Sequence, residues 1–316
     1  MSATSGNRSA RMMRLILVLL LFQWPLVAAR ADIAVSDDAG RPVQLAVPAR
    51  RIVSLAPHIT ELLFAAGAGD AVVGVTEFSD YPEAARAITR VGGGTGLDLE
   101  AILALQPDLV VAWQSGNPAG QVERLQSLGM TVFMSEPRQL MDVPDTLLRL
   151  GRLAGSEKVA QANADRFIRR YDQLQQRYAQ RPVVSVFYQI WEQPLMTLNG
   201  EHLFSDVVRL CGGRNVFGDL PALAPQVDIE AVLAVDPEVI VVAADDNDSP
   251  LLAAWERWPS LSAVAHGHVY AVARERLVRH SPRILEGAED LCVVLDGVRE
   301  YISRLQGAPT PVDTPE

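Results

Sequence analysis

The chain has 316 residues and carries 38 acidic against 28 basic side chains, a formal charge of −10 at neutral pH. This length allows two domains of ordinary size, each with its own hydrophobic core. The acidic balance argues against nucleic-acid binding, which requires a basic surface to neutralise phosphates.

The N-terminus has the three parts of a secretory signal peptide. Three arginines within the first 14 residues precede an apolar run at 15–22, and a small-residue cleavage site follows at 29–31. The apolar run is too short to span a bilayer. We therefore expect residues 1–31 to be removed, which leaves an exported, soluble chain of charge −14 because the lost segment holds four arginines and no acids.

One segment occurs twice, 130 residues apart and without gaps, at 97–113 (LDLEAILALQPDLVVAW) and 227–243 (VDIEAVLAVDPEVIVVA). Each copy starts with an aspartate suited to an N-cap and a glutamate in the first helical turn. A short helix follows, a proline ends it, and an aliphatic run typical of a strand buried in a parallel sheet completes the unit. The repeat predicts two similar α/β lobes. The alternative is convergence on a common helix–strand joint.

The N-terminal half alternates predicted strands and helices. A strand–turn–strand segment at 32–50 precedes, in order, a strand at 51–55, a helix from an N-cap at Thr60 to Ala66, a strand at 71–75, the first repeat, a helix at 121–128 and a strand at 131–134. This order is the pattern of a parallel sheet with helices on its faces.

Residues 156–180 contain no proline or glycine, and apolar side chains recur in them at near-helical spacing. We predict one helix of about 37 Å that links the two lobes. A single stiff connector of this kind implies only small motions of one lobe against the other.

The C-terminal half repeats the α/β pattern, with strands at 183–189 and 268–272 on either side of the second repeat and a terminal helix at 283–305. The predicted domains are an N-terminal lobe (32–153), a linking helix (154–181), a C-terminal lobe (182–305) and a disordered tail (306–316). Two cysteines, Cys211 and Cys292, lie in the second half. A disulfide is the expected state in an exported chain, and a metal site on the two thiols is the alternative.

Ligands of parallel α/β sheets bind beyond the carboxyl ends of the strands. Five predicted loops lie there, at 56–60, 76–82, 113–117, 190–194 and 273–282. They hold His58, Phe78, Tyr81, Trp113, Trp191, Arg279 and His280. Aromatic side chains in such loops suit stacking against a large, flat ligand. The alternative is that each ring packs beneath its own loop.

Catalytic motifs are absent, since the chain has no G-x-S-x-G, H-E-x-x-H or Walker sequence. The glycine-rich stretch at 92–96 is interpreted as a turn, because it does not follow the strand of a dinucleotide fingerprint. His266 and His268 point the same way if they lie on a strand, so a weak metal site and a pair of exposed turn residues are both open. His58 and His280 are better candidates for contacting a ligand or its metal.

Several short motifs resemble the periplasmic substrate-binding proteins of ABC importers for cobalamin, haem and ferric siderophores. They are spread from Arg51 to Leu295 and include Thr60-Glu61-Leu62, Ser79-Asp80-Tyr81-Pro82, Ala112-Trp113 with Gly116-Asn117, Cys211-Gly212-Gly213, Pro225-Gln226-Val227 and Ser281-Pro282-Arg283-Ile284. The resemblance implies an α/β fold of two Rossmann-like lobes with parallel sheets joined by one long helix, the type III architecture of these proteins. The Ala-Trp-x-x-Gly-Asn and Pro-Gln-Val pieces resemble the cobalamin branch in particular.

The resemblance also implies which residues contact the ligand. Trp113 then lines a corrin pocket, Phe78 replaces a pocket tyrosine, Arg279 matches a pocket arginine, and Glu275 stands in place of a pocket aspartate. Gly94 and Ala224 fall where the cobalamin branch has pocket tryptophans, and Tyr188 or Trp191 is the candidate to compensate for the missing stacking surfaces.

Two further pairs follow from the resemblance. Cys211 and Cys292 match a disulfide pair. Glu100 and Glu230 match the carboxylates, one on each lobe, that dock on arginines of the two-subunit membrane permease.

The function that the resemblance implies is that of a monomeric periplasmic receptor without a cofactor. It captures a corrinoid between its lobes, delivers it to an ABC importer and catalyses no reaction. Haem or a ferric siderophore is the alternative ligand, with His58 or His280 then ligating iron. A rival of another class is an enzyme on a two-lobed α/β scaffold, such as a metal chelatase.

Overall fold

The computed structural model describes residues 33–93, 96–244 and 249–307. The predicted signal peptide, Gly94 and the predicted tail beyond residue 307 lie outside these described residues. No helix in the described part of the chain has the length and apolar character needed to cross a membrane.

The N-terminal lobe is built on a parallel sheet of five strands in the order β5–β4–β3–β8–β9. These strands are β3 (Ile52–Ser54), β4 (Val72–Val75), β5 (Thr89–Arg90), β8 (Leu109–Trp113) and β9 (Val132–Ser135). Two antiparallel hairpins accompany the sheet, formed by β1 (Ile33–Ser36) with β2 (Pro42–Leu45) and by β6 (Gly92–Gly93) with β7 (Gly96–Leu97). The helices are α1 (Pro57–Ala65), α2 (Leu99–Ala104), α3 (Ala119–Ser127) and α4 (Asp142–Ala154).

The C-terminal lobe has a parallel sheet of four strands in the order β11–β10–β12–β13. They are β10 (Val184–Gln189), β11 (Gly213–Asn215), β12 (Val239–Ala243) and β13 (Val269–Val272). The helices of this lobe are α6 (Leu203–Leu210), α7 (Ile229–Val235), α8 (Pro250–Ala253), α9 (Ser262–Ala265), α10 (Arg274–Leu277) and α11 (Ile284–Gly307).

Helix α5 (Glu157–Tyr178) joins the lobes and has 22 residues, which corresponds to about 33 Å. It buries one stripe of side chains, including Ala160, Ala164 and Phe167, against α4 of the first lobe and α6 and α11 of the second. The predicted fold class, two α/β lobes with parallel sheets and one long linking helix, is confirmed.

The repeated segment folds as predicted in both lobes. The Asp98 carboxylate accepts a hydrogen bond from the Ala101 amide at 2.9 Å, and the Asp228 carboxylate accepts one from the Ala231 amide at 2.7 Å. Both caps satisfy an amide that the first turn leaves without a helical partner. The strand that follows each helix, β8 or β12, is buried along nearly its whole length.

Several helices differ from the sequence prediction. The short helices α9 and α10 were not predicted, and α10 lies inside the predicted loop at 273–282. Two larger differences concern α1 and α4. Helix α1 begins at Pro57, so Thr60 is not its N-cap. Proline is tolerated at the first helical position because its missing amide has no partner there. The Thr60 hydroxyl is instead buried and bonded to the Ser54 hydroxyl at 2.8 Å and the Ser79 hydroxyl at 3.1 Å.

The second difference is α4, which the sequence analysis did not identify. Its acidic first turn, with Asp142 and Asp145, and its C-terminal Gly155 at φ 69° are the usual signals of a helix. Pro144 lies between the two acids and reads as a helix breaker, but it falls in the first turn, where proline is compatible with a helix.

The hydrophobic core has one shared part and two separate parts. The shared part runs from the N-terminal lobe through α4 and α5 to α6 and α11 of the C-terminal lobe. Each lobe has a second, smaller core on the opposite face of its sheet, around Val110 in the first lobe and Phe187 in the second. The lobes are therefore joined along one side by continuous apolar packing.

The predicted disulfide is present. Cys211, just after α6, is bonded to Cys292 on α11, and both residues are fully buried. The bond ties the last long helix to the interior of the C-terminal lobe.

Candidate functional site

The order of the strands defines a ligand-binding position in each lobe. In the N-terminal sheet the chain runs outward from β3 through β4 to β5 on one side and from β8 to β9 on the other. In the C-terminal sheet β10 leads to β11 on one side and β12 leads to β13 on the other. Ligands of open α/β sheets bind where the strand order reverses, beyond the carboxyl ends of the strands. These positions are β3/β8 and β10/β12.

At the β3/β8 position, His58 and Trp113 lie edge to face with ring centroids 5.1 Å apart. Asn117 holds this corner together, because its side chain accepts a hydrogen bond from the Trp113 amide at 2.7 Å and donates one to the Leu55 carbonyl at 2.8 Å. A side chain on Gly116 would overlap the Trp113 ring. In the Ala-Trp-x-x-Gly-Asn motif, the glycine therefore leaves room for the tryptophan ring, and the asparagine bonds the tryptophan backbone to Leu55, which directly follows β3.

Histidines of the C-terminal lobe complete this cluster across the lobe boundary. The His280 ring lies 5.4 Å from that of His58, 6.3 Å from that of Trp113 and 5.1 Å from that of His202, centroid to centroid. His202 was not identified from the sequence. Its ring caps α6 by accepting a hydrogen bond from the Phe204 amide at 3.0 Å, a role for which histidine carries no clear sequence signal.

Burial keeps these histidines neutral. It lowers the pKa of His280 to about 4 and that of His202 to about 3. Burial also places the pKa of His58 well below its usual value, and it is lowered further by His280 whenever that ring is protonated and by the positive charge of Arg279. His58 Nε2, Trp113 Nε1 and both ring nitrogens of His280 have no hydrogen-bond partner among the described residues. Buried polar groups are nearly always paired, so this cluster has unused capacity for a polar ligand group or water.

No group of three or more His, Cys, Asp or Glu side chains in the described ranges is arranged to hold a metal ion. His266 and His268, the pair considered for weak metal binding, both lie beside the Tyr301 ring, with centroids 5.5 and 4.9 Å away. His268 is buried there rather than in an exposed turn.

A second interlobe cluster surrounds Arg279. Its guanidinium donates to the Glu61 carboxylate at 2.7 Å and the Asp80 carboxylate at 3.1 Å, both in the N-terminal lobe, and to the Glu275 carboxylate at 2.6 Å. Arg279 is only 8% exposed. The predicted pocket arginine is therefore already bonded to carboxylates of the protein itself. Glu61 and Asp80 were not identified as site residues, although both lie inside motifs that carry the family resemblance.

The exposed aromatic rings belong to loops at the carboxyl ends of strands. Phe78 is 74% exposed and Trp191 52% exposed. Tyr81 is partly covered by the Arg283 guanidinium, 4.1 Å above its ring. Trp191 lines a cavity of about 400 Å³ at the β10/β12 position, together with Gln189, Ile190, Glu192, Gln193, Ala243 and Leu251.

Tyr188 does not reach this cavity. Its ring is fully buried and stacks on Phe204 with centroids 4.0 Å apart, because side chains alternate along β10 and this position points to the shared core. Its predicted role as a compensating pocket aromatic is not supported. Ala224 is exposed on its loop and offers no stacking surface.

A profile of the periplasmic binding protein family matches residues 52–275, more than two thirds of the chain. The chain belongs to this family. The vitamin B12-binding protein of Vibrio cholerae serotype O1 is 39% identical over 249 residues, which cover 78% of this chain and 90% of the relative.

Solved structures agree with this assignment. The crystal structure of the periplasmic vitamin B12-binding protein of Vibrio cholerae matches with a TM-score of 0.75 at 38% identity, covering 80% of this chain and 99% of that one. The periplasmic heme-binding protein of the same organism matches with a TM-score of 0.67 at 19% identity, covering 78% and 98% of the two chains, and shows the fold alone. The predicted family and its type III architecture are thus confirmed.

Proposed function

We propose that this protein captures a corrinoid between its two lobes and delivers it to an ABC importer. The observation that carries the proposal is the 39% identity to a vitamin B12-binding protein over most of both chains. The strand order supports it, because an aromatic ring lies at the reversal point of each sheet, Trp113 in the first lobe and Trp191 in the second.

The chemistry of a corrinoid suits this surface. A corrin is a large flattened ring with an apolar face and amide groups on its edge. The exposed rings of Phe78 and Trp191 provide apolar surface for the face. The unpaired polar atoms of His58 and His280 are suited to amides that both donate and accept hydrogen bonds.

Titration of the purified protein with cyanocobalamin, haem and a ferric siderophore tests the proposal. We expect a sub-micromolar dissociation constant for cyanocobalamin by calorimetry or absorbance. Tight haem binding without any response to cyanocobalamin would overturn the corrinoid assignment and favour His58 or His280 as iron ligands.

The protein acts in this proposal as a receptor and catalyses no reaction. A two-lobed fold alone does not decide between a receptor and a chelatase. Incubation with a porphyrin and divalent metal ions separates the two, since metalloporphyrin formation at catalytic protein concentrations would establish an enzyme.

Delivery requires a surface that the permease recognises, and we propose that Glu100 and Glu230 provide it. Each lies in the first turn of a repeated helix, is exposed, and makes no ion pair within the described residues. The two lobes thereby present equivalent carboxylates, which fits a permease of two subunits.

Export to the periplasm is part of the same proposal. It rests on the signal-peptide pattern of residues 1–31. N-terminal sequencing of the protein from a periplasmic fraction should begin near Asp32, and recovery of the uncleaved chain from the cytoplasm would contradict it.

We also propose that the lobes divide at residues 153/154 and 181/182, with the linking helix between. The buried stripe of α5 supports this division and small lobe motions. A monomeric state is part of the same proposal. Small-angle scattering with and without ligand should show a change in radius of gyration of about 1 Å or less for so stiff a connection.

A further inference from the structure

The loop after β4, residues 76–82, carries Phe78 in an unusual backbone conformation. Its φ is 61°, in the left-handed region that residues with a side chain rarely adopt. The ring is 74% exposed. A strained backbone that presents an apolar ring to solvent must be held by surrounding contacts, and such strain is typical of ligand-binding positions.

The N-terminal lobe supplies part of this hold. The Arg90 guanidinium donates to the Ser79 carbonyl at 3.1 Å, and the Thr60 hydroxyl lies 3.1 Å from the Ser79 hydroxyl. These contacts fix the loop at Ser79, which is fully buried, and leave the Phe78 carbonyl to a donor from the other lobe.

That donor is Arg279. Its Nη2 donates to the Phe78 carbonyl at 3.3 Å, and its Nη1 donates to the Asp80 carboxylate at 3.1 Å. The guanidinium thus donates hydrogen bonds to the residue before Ser79 and to the residue after it. The same two nitrogens also bind Glu61 and Glu275, so both terminal nitrogens are engaged with protein.

Glu61 fixes the guanidinium in this position. The Glu61 carboxylate is only 3% exposed and accepts hydrogen bonds from Arg279 at 2.7 Å, the Ser281 hydroxyl at 2.6 Å and Arg283 at 3.3 Å. A buried carboxylate with three donors from the opposite lobe resists displacement, because losing any donor leaves a buried charge less well paired.

We propose that Arg279 is a positioning residue whose effect on ligand affinity passes through Phe78. Arg279 bridges the lobes, orders the loop at 76–82 and holds the Phe78 ring toward the space between the lobes, without contacting the ligand itself. This inference rests on the proposed function and departs from the ligand-contacting role that the family resemblance implies for Arg279.

A double-mutant cycle distinguishes the two roles. Phe78→Ala and Arg279→Met should each weaken cyanocobalamin binding by about tenfold, the loss expected for one aromatic contact. If Arg279 acts through Phe78, the double variant should also lose about tenfold. Losses that multiply to about a hundredfold, or an Arg279→Met affinity equal to wild type, would overturn the proposal.

Two further variants guard against a general loss of structure. Arg276→Met is the matched control, since Arg276 lies on α10, just before Arg279 in the chain, but pairs with Asp290 at an exposed site, at 2.8 Å. Its affinity should equal that of wild type. Asp80→Asn is a milder change that keeps the buried Glu61–Arg279 pair, and its smaller loss should likewise vanish in the Phe78→Ala background.

A measurement without ligand tests the ordering of the loop by Arg279 independently of corrinoid binding. Hydrogen–deuterium exchange of the apo protein should accelerate at residues 76–82 in Arg279→Met and stay unchanged in Arg276→Met. If wild type binds no cyanocobalamin, the proposed function fails, and the exchange result alone then decides whether Arg279 positions the loop. Unchanged exchange at 76–82 would refute that role.

Discussion

The imidazole of His58 in the N-terminal lobe lies 5.4 Å from that of His280 in the C-terminal lobe, and both rings are buried. The contact joins the first turn of α1 to the loop after α10, 222 residues apart in the sequence. Because neither ring has room for a hydrated charge, the boundary between the lobes is built from neutral imidazoles, and this makes its stability depend on pH.

Acid should destabilise the protein through His280. Its folded-state pKa is about 4 against an ordinary value of 6.5, so between these values the unfolded chain binds more protons. The contribution to the unfolding free energy is therefore constant above pH 6.5 and falls as the pH drops toward 4, by up to roughly 3 kcal/mol. His58, which faces it with a lowered pKa of its own, acts in the same direction.

Urea unfolding at pH 7.0, 5.5 and 4.5 measures the slope of the unfolding free energy against pH. His280→Gln should flatten it, whereas the matched substitution at the exposed His266 should leave it as in wild type. An unchanged slope in His280→Gln would show that another group controls the acid transition.

Trp191→Ala should weaken cyanocobalamin binding about tenfold and leave the stability nearly unchanged. The ring is about half exposed in the absence of ligand, so its removal costs little folding energy, while a stacked ligand would lose an aromatic partner. Calorimetry and thermal unfolding of the same samples separate the two effects. Val183→Ala, at a 65% exposed position before β10, is the control. Equal affinities for wild type and Trp191→Ala would remove this ring from the site.

Gly116→Ala should destabilise the protein by roughly 1–3 kcal/mol, because the added methyl group overlaps the Trp113 ring and forces it to move. Gly120→Ala is the matched control. A methyl group there meets nothing within 4 Å in α3, so it should be neutral or stabilise by up to about 1 kcal/mol. Thermal unfolding measures both, and tryptophan fluorescence should shift only in Gly116→Ala. Equal stabilities would contradict the packing described for this motif.

Replacing both Glu100 and Glu230 by alanine should abolish or strongly reduce corrinoid-dependent growth while leaving the affinity of the purified protein unchanged. The carboxylates are exposed on short helices and lie outside the cavity around Trp191. Glu123→Ala, another exposed helical glutamate, serves as the control. Growth of the double variant at the wild-type rate would argue against docking through these residues.

Local features of the chain were predictable from the sequence because their causes are local. The aspartate caps at Asp98 and Asp228 satisfy amides three residues away. The aliphatic run of each repeat is a buried strand because its residues carry no polar side chain that needs water. The stretch without glycine or proline at 156–180 is a helix for equally local reasons.

The site residues were only partly predictable. Position beyond the strand ends assigned His58, Trp113 and His280 to one predicted cleft, and in the structure the centroids of their rings lie within 6.3 Å of one another. The family resemblance does not give the direction of a side chain. Tyr188 was a candidate to replace a missing pocket tryptophan, but its ring packs on Phe204 instead. His202 was not predicted, because it lies at the N-cap of α6 and not in a loop that directly follows a strand.

The sequence by itself determined the two α/β lobes, the linking helix and the family, since periodicity, caps and motifs are properties of neighbouring residues. Only the tertiary structure decided what Arg279 does. The Glu61 carboxylate, 218 residues away, lies 2.7 Å from its guanidinium. A buried charge takes the partner that folding brings to it, and no local pattern records which partner that is.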